Sequence, residues 1–255
     1  MENCLDIRLA SSGGKAATRG SPHTMQIPPC RIPQPLPSKR PSEINSPVLR
    51  RGDYSIYLAD SSELCSEAGA LVRRMYSWRG YETENAAFTS RGPSQLTFVA
   101  TYGENLVGTV TLAFEKEGRL LADELFGGEI DGYRKMGRKV CELSKFAIDP
   151  QHSSKEMIAS LFQLAYIYGA VINDATDLFG EVNPRHAKSH ERLFGFQRVN
   201  DEIRVCPRVG APAVLLHLDF EHVGQQIASL AGSQVTGERS IYPHCFRFQE
   251  IGNVN

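Results

Sequence analysis

Three groupings in this 255-residue chain bring reactive residue types to spacings that chemistry could use. Glu142 and Lys145 interrupt the apolar run from Val140 to Ile148. A carboxylate there is either a structural partner for the lysine or, where burial raises its pKa, a proton acceptor near neutrality. On an unbroken strand residues three apart point to opposite faces, so the two share a side only if the strand bulges. His186 and His190 lie four apart and share a helix face. Two imidazoles can begin a metal site, but no third ligand is in view, and no metal is expected. Arg134, Lys135, Arg138 and Lys139 put four cations in six positions, either a docking patch for an acidic partner or a solvated charge run. Cys4, Cys30, Cys65, Cys141, Cys206 and Cys245 stand singly, which argues against a disulfide framework or zinc knuckle and fits buried thiols in a reducing cytoplasm.

The elements that must hold these residues can be read from periodicity. Tyr54 to Leu58 predicts a short strand, followed by a helix capped by Ser61 or Ser62 and running to about Tyr76, with Leu64, Ala68, Leu71, Val72 and Met75 on one face. Leu96 to Thr101 and Leu106 to Phe114 alternate as a hairpin around the turn Tyr102-Gly-Glu-Asn105. Residues 120–138 are helical in part. Val140 to Ile148 is a strand stopped by Asp149-Pro150. Ser153 with Glu156 gives a capping-box pattern for a helix carrying Met157, Leu161, Leu164, Ala165, Tyr168, Val171 and Ile172. Leu178 to Val182 is a strand, and Pro184 suits the first turn of a helix ending near Gly195. Strands near Phe196 to Val205 and Ala213 to Phe220 follow, then a short helix and a tail. The strand–helix–strand run from Val140 implies one parallel pair, flanked by antiparallel hairpins, in an α/β (α+β) mixed sheet. Ligands favour such junctions.

Composition bounds the whole. At 41% hydrophobic and 22% charged, the chain can bury a sizeable core. Its net charge of −1 does not indicate a dominant basic surface for nucleic acid. No apolar run reaches the roughly 18 residues of a membrane helix, and no secretory signal is expected at the start. Residues 1–51 carry eight basic against three acidic groups, and eight of the 14 prolines lie between Pro22 and Pro47. The expected organisation is a flexible tail over 1–51, a catalytic or binding domain over 52–220, and a helix and tail over 221–255 that packs on or extends it.

This order of elements resembles the Gcn5-related N-acetyltransferase (GNAT) fold, a mostly antiparallel sheet with one splayed parallel pair flanked by helices. Cys141-Glu-Leu-Ser-Lys-Phe-Ala-Ile-Asp149 is similar to a strand of acyl-homoserine-lactone synthases. Glu181-Val-Asn-Pro-Arg-His186, His190-Glu-Arg-Leu-Phe-Gly-Phe196, Cys206-Pro-Arg-Val-Gly-Ala-Pro-Ala213 and Arg73-Arg-Met-Tyr-Ser-Trp-Arg-Gly-Tyr-Glu82 are similar to segments of bacterial long-chain N-acyl amino acid synthases. The resemblance covers residues 53–220.

The resemblance implies transfer of a long-chain fatty acyl group from acyl carrier protein to the amine of an amino acid or a related amine. It implies Glu142 as the base that takes the ammonium proton, Phe146 or a neighbour on a bulge as the backbone oxyanion donor, and His190 as the proton donor to the departing thiolate. Trp78, Arg79, Tyr81 and Glu82 would close over the acceptor, with Ser144, Asn183 and His186 beside the cleft. Arg134, Lys135, Arg138 and Lys139 would dock the acidic carrier protein. No cofactor is held permanently; the donor is the acyl-phosphopantetheine arm. Acyl-CoA is disfavoured because the glycines that usually bare the pyrophosphate-binding amides are replaced, with a carboxylate at Glu156. A lipid product would bring the enzyme to a membrane only peripherally. Alternatives are a lactone-type signal synthase and a non-catalytic sensor that binds an acyl carrier or ligand.

Overall fold

The sheet is built from alternation. In a computed structural model describing residues 46–83, 94–115 and 119–251, nine strands pair: β1 (Leu49–Arg51), β2 (Tyr54–Leu58), β3 (Gln95–Tyr102), β4 (Asn105–Phe114), β5 (Val140–Ile148), β6 (Asp177–Val182), β7 (Gln197–Arg198), β8 (Arg204–Cys206) and β9 (Ala211–Asp219). Their spatial order is β1-β2-β3-β4-β5-β6-β9-β7, with β8 paired to β9. All pairs are antiparallel except β5–β6. This is the mixed sheet with one parallel pair that periodicity predicts.

Among the described residues, five helices of eleven residues or more clothe it. They are α1 (Ser62–Trp78), α2 (Asp123–Lys135), α3 (Lys155–Tyr166), α4 (Pro184–Phe194) and α5 (Phe220–Leu230). On one face α1 and α2 bury Leu71, Val72, Met75, Tyr76, Phe126 and Ile130 against Val140, Ala147 and Phe179. On the other, α3 is buried from Met157 to Ala165, with Ser160 and Gln163 the polar residues in that stretch, which requires cover on both sides. The sheet covers one side. The chain's own segment Ile241, Tyr242 and Cys245, with α5, covers the other.

Several expectations are corrected. The predicted tail reaches too far: Leu49–Arg51 pairs with β2, and Leu49 is buried. Residues 1–45 of that tail lie outside the described residues. The α3 cap is Ser154, whose Oγ accepts from the Met157 N–H at 3.1 Å; Ser153 precedes it, so Glu156 falls one position short of a capping box. The helix then widens into a π-helical segment over Ile167–Ile172. That rotation takes Val171 and Ile172 off the buried face, leaving them 61% and 57% exposed. The single strand expected over 196–205 is two short ones, β7 and β8, because each pairs with a different part of β9.

Candidate active site

Sheet register creates the cleft. β5 and β6 pair over only three positions, ending at Glu142 opposite Phe179. Beyond them β5 continues along β4 and β6 along β9, so the two arms part. Backbone groups facing the wedge have no partner strand, which suits them to a ligand.

A bulge then sets what β5 offers. Thr109 stands opposite Ala147 and Thr111 opposite Ser144, so Val110 faces both Lys145 and Phe146. Lys145 takes a left-handed backbone, φ 50°, a strained conformation for a non-glycine residue, at this insertion. The side chains record the shift. Cys141, Leu143, Phe146 and Ile148 all join the α3-side core, although Leu143 and Phe146 are three apart. Val140 and Ala147 join the α1–α2 side. Lys145 is buried and Ser144 lies beside it, opposite Thr111.

Glu142 shares the α1–α2 side with Val140. It is completely buried, and its Oε2 accepts the Leu121 N–H at 2.7 Å. Burial, then the neighbouring Glu181 charge, pushes its pKa up to about 8; Leu121, Arg208 and Ala122 oppose this. Glu181 stands on the other arm, two residues past Phe179 and therefore on the same sheet face. It too is fully buried, and burial raises its pKa against the pull of Arg208. Its Oε2 takes an ion pair from Arg208 and a contact from the Cys206 Sγ at 3.7 Å. Its Oε1 meets no hydrogen-bond partner among the described residues. Arg208 also pairs with Glu124 and donates to the Leu121 carbonyl at 3.2 Å. The peptide segment at Leu121 is thus gripped by Glu142 through its N–H and by Arg208 through its C=O.

Glu181, Cys206 and Arg208 also stand at the cleft, although sequence reading does not single them out as candidates. Their signal is present in the sequence: Leu178-Phe-Gly-Glu-Val182 sets one carboxylate inside an apolar strand, where only a buried cation can balance it. What sequence alone lacks is the pairing of β6 with β9, which returns the chain through Arg208.

The acceptor-side candidates gather at the end of α1. Arg79 lies over the Trp78 ring at 4.8 Å. Tyr81 is buried; its hydroxyl accepts from Arg185 Nη2 at 2.9 Å, and its ring stacks under that guanidinium at 5.2 Å. The Glu82 N–H donates to the Val209 carbonyl at 3.2 Å. Its carboxylate rests on Gly210, where a Cβ would come within 2.9 Å and φ is +61°, so only glycine fits. The segments 78–82, 185 and 208–210 therefore form one wall.

The α4 candidates divide. Asn183 caps the helix, its Oδ1 accepting from the Arg185 N–H at 3.2 Å. His186 Nε2 accepts from Arg185 Nε at 2.8 Å. His190 is fully buried, packs on Phe194 and Phe196, and sets Nδ1 2.9 Å from the His186 carbonyl. Those phenylalanines belong to the α3-side core, so the sheet stands between His190 and Glu142. Among the described residues no cluster of three or more His, Cys, Asp or Glu could hold a metal ion.

The four cations do not present a common surface charge. Arg134 is held by Asp123, Asp131 and Glu115 at 2.6–2.7 Å. Arg138 binds Asp177 at 2.5 Å and Asp219 at 2.7 Å. Burial works against the charged form of Asp177, but hydrogen bonds from His217, Arg138 and Thr176 prevail and lower it to about 2. Lys135 and Lys139 remain exposed, Lys139 with a 3.7 Å pair to Asp174.

The start of α3 is occupied from within. Ser154 takes one first-turn amide, and the Glu156 carboxylate pairs with His244 at 2.9 Å. Against the effect of burial, its own backbone N–H, His244, Ser154 and Arg51 hold Glu156 below the usual range. Lys155 Nζ donates to the Arg239 carbonyl at 3.0 Å and to that of Ser240 at 3.4 Å.

A structural match to FeeM, an N-acyl amino acid synthase from uncultured soil microbes, has a TM-score of 0.59 at 27% identity, covering 66% of this chain and 90% of that one. The AHL synthase LasI aligns at 0.49 and 15%, covering 66% and 90%. The ribosomal-protein-S5-alanine acetyltransferase of Vibrio fischeri aligns at 0.48 and 12%, covering 68% and 96%. No curated protein matches the chain. The family model for N-acyl amino acid synthase FeeM matches residues 67–219, the span that includes both arms of the cleft, Glu142, Glu181 and Arg208. The chain belongs to this family of amide-forming acyltransferases.

Proposed function

We propose that the protein transfers a long-chain fatty acyl group from acyl carrier protein to the amine of an amino acid, with Glu142 as general base. The observation that carries this reading is a fully buried carboxyl, raised to about 8, at the point where the two arms diverge. An amino-acid ammonium loses its proton far more readily to such a group than to an ordinary carboxylate. In the reaction the ammonium gives one proton to Glu142. The free amine attacks the thioester carbonyl, whose developing negative charge a backbone N–H at the Lys145–Phe146 bulge would stabilise. The C–N bond forms, the C–S bond breaks, and the thiolate takes the nitrogen's second proton. Glu142 returns its proton to solvent.

The carrier-protein donor is supported by the start of α3. Amides that could hold a coenzyme A pyrophosphate are engaged by Ser154 and Glu156, and a carboxylate there repels phosphate. A phosphopantetheine arm carries no pyrophosphate into the site. The acceptor's carboxylate is assigned to the wall of Arg79, Tyr81 and Arg185, where a guanidinium can pair with it.

The test is mass spectrometry of lipid extracts from a bacterial host expressing the protein or its Glu142→Gln variant. A series of N-acyl amino acids present only with the intact protein is expected. An unchanged series from the variant would overturn the base assignment. Transfer from acyl-CoA as fast as from acyl carrier protein, with purified components, would overturn the donor assignment.

A further inference from the structure

We propose that Glu181 and Arg208 are positioning residues for the reaction: Glu181 reaches Glu142 from the facing arm of the cleft and makes it a stronger proton acceptor, while Arg208 fixes both Glu181 and the peptide segment that holds Glu142. The inference rests on Glu142 being the base.

The geometry carries it. Two fully buried carboxyl groups stand on the same face of the sheet, one on each arm, beside the last paired position. Like charges confined to one dry site cannot both ionise freely, so each raises the proton affinity of the other. Arg208 breaks the symmetry. It ion-pairs with Glu181, lowers the proton affinity of both carboxyls, and binds the carbonyl of Leu121, whose N–H binds the Glu142 carboxylate. The negative charge therefore settles on Glu181, and the exchangeable proton belongs to Glu142.

The surroundings leave these groups to set the balance. Opposite Glu142, β4 offers Ala113 and β6 offers Phe179, neither titratable. On its own strand stand Cys141, its thiol raised by burial and by Asp177 and Glu142, and buried Lys145. From the approach to α2 come the backbone N–H groups of Leu121 and Ala122. Glu124 of α2 is paired with Arg208, and Arg74 of α1 is paired with Asp149 at 2.8 Å. From the β8 side Cys206 touches Glu181.

The experiment compares pH profiles of product formation by the full-length protein and its Glu181→Gln and Glu181→Asp variants. It runs beside ¹³C NMR of protein labelled at the glutamate carboxyl carbon, with the Glu142 signal identified by its loss in Glu142→Gln. Glu181→Gln is expected to move both the acid limb of kcat and the Glu142 titration down by about one pH unit or more. Glu181→Asp, which keeps the charge, should restore most of the shift. A purely structural role would lower the rate without moving the limb. An unmoved limb and titration in a folded Glu181→Gln protein would overturn the proposal, as would a titration that moves while the limb stays. Should Glu181→Gln fail to fold, the reciprocal reading decides: the Glu181 signal must titrate lower in Glu142→Gln, and an unchanged value overturns the coupling. Full activity of Glu142→Gln would instead defeat the base assignment itself.

Discussion

At the scale of single residues, Glu142 links catalysis to stability with opposite signs. An ordinary glutamate in the unfolded chain titrates near about 4.3, whereas the folded protein holds Glu142 at about 8. Between those values the folded state binds a proton that the unfolded state has lost, so stability falls as pH rises through that window. Glu142→Gln mimics the protonated form and keeps an acceptor for the Leu121 N–H. Its melting temperature should gain on the wild type steadily between about pH 5 and pH 8 and then level off, as thermal melts would show. The same variant should lose about 10²–10⁴-fold in kcat. A variant that lost activity without this pH-dependent gain would place Glu142 outside the dry site. Asp177 behaves in the opposite sense. Its carboxyl is held at about 2, so its contribution is complete above the ordinary aspartate range and disappears as pH falls through 2. Asp177→Asn should therefore cost most near neutrality and least in acid.

At the scale of elements, the β5 bulge decides which side chains face which core. Deleting Lys145 would restore simple alternation with Phe146 and Ile148 still on the α3 side, while removing the bulge itself. A cooperative thermal transition should survive both in this deletion and in Lys145→Gly, which accepts φ 50° without strain, but only the deletion, lacking the bulge, should lose product formation. Circular dichroism melts and product assays of the two variants check these outcomes. The bulge also marks how far sequence reading reaches. The apolar run of β5, the hairpin around Gly103 and the buried face of α1 are local patterns, legible because period and burial coincide in one stretch. The parallel pairing of β5 with β6 follows from the intervening helix. The left-handed Lys145 has no compositional mark, since glycine or asparagine would be the usual sign. Arg208 escapes notice for another reason. Its partners Glu124 and Glu181 are 84 and 27 residues away, a relation that only tertiary pairing creates. His190 shows the converse, a residue whose type suits acid–base chemistry but whose helix turns it into the α3-side core.

At the scale of the molecule, the family-matched core ends at residue 219, yet the buried interior does not. Phe220, Val223, Ile227, Ile241, Tyr242 and Cys245 complete the α3-side cluster, and the Tyr242 hydroxyl bonds the Phe194 carbonyl at 2.5 Å. Gln163, buried in α3, exchanges two hydrogen bonds with the Phe246 backbone at 2.7 and 2.8 Å. Tyr242→Ala should therefore cost about 3–5 kcal/mol in chemical denaturation, a core penalty from a residue outside the matched span. For docking, Lys135 and Lys139 are the cations of the predicted patch that keep exposed ammonium groups. Reversing both to glutamate should raise the KM for acyl carrier protein about tenfold at low ionic strength, with the acceptor KM unchanged and the difference fading in high salt. Equal KM values would move the docking face elsewhere.

The cover over α3 has a consequence during synthesis. The helix is complete once residue 166 has left the ribosome, but its outer face waits for the stretch around Tyr242, some 80 residues later. At roughly 5–20 residues per second, that leaves a mostly apolar helix half-clothed for several seconds. A nascent chain in that interval offers a sticky surface to chaperones and to its neighbours on the same polysome. Released chains truncated before residue 241 should aggregate, while chains ending after residue 246 should not.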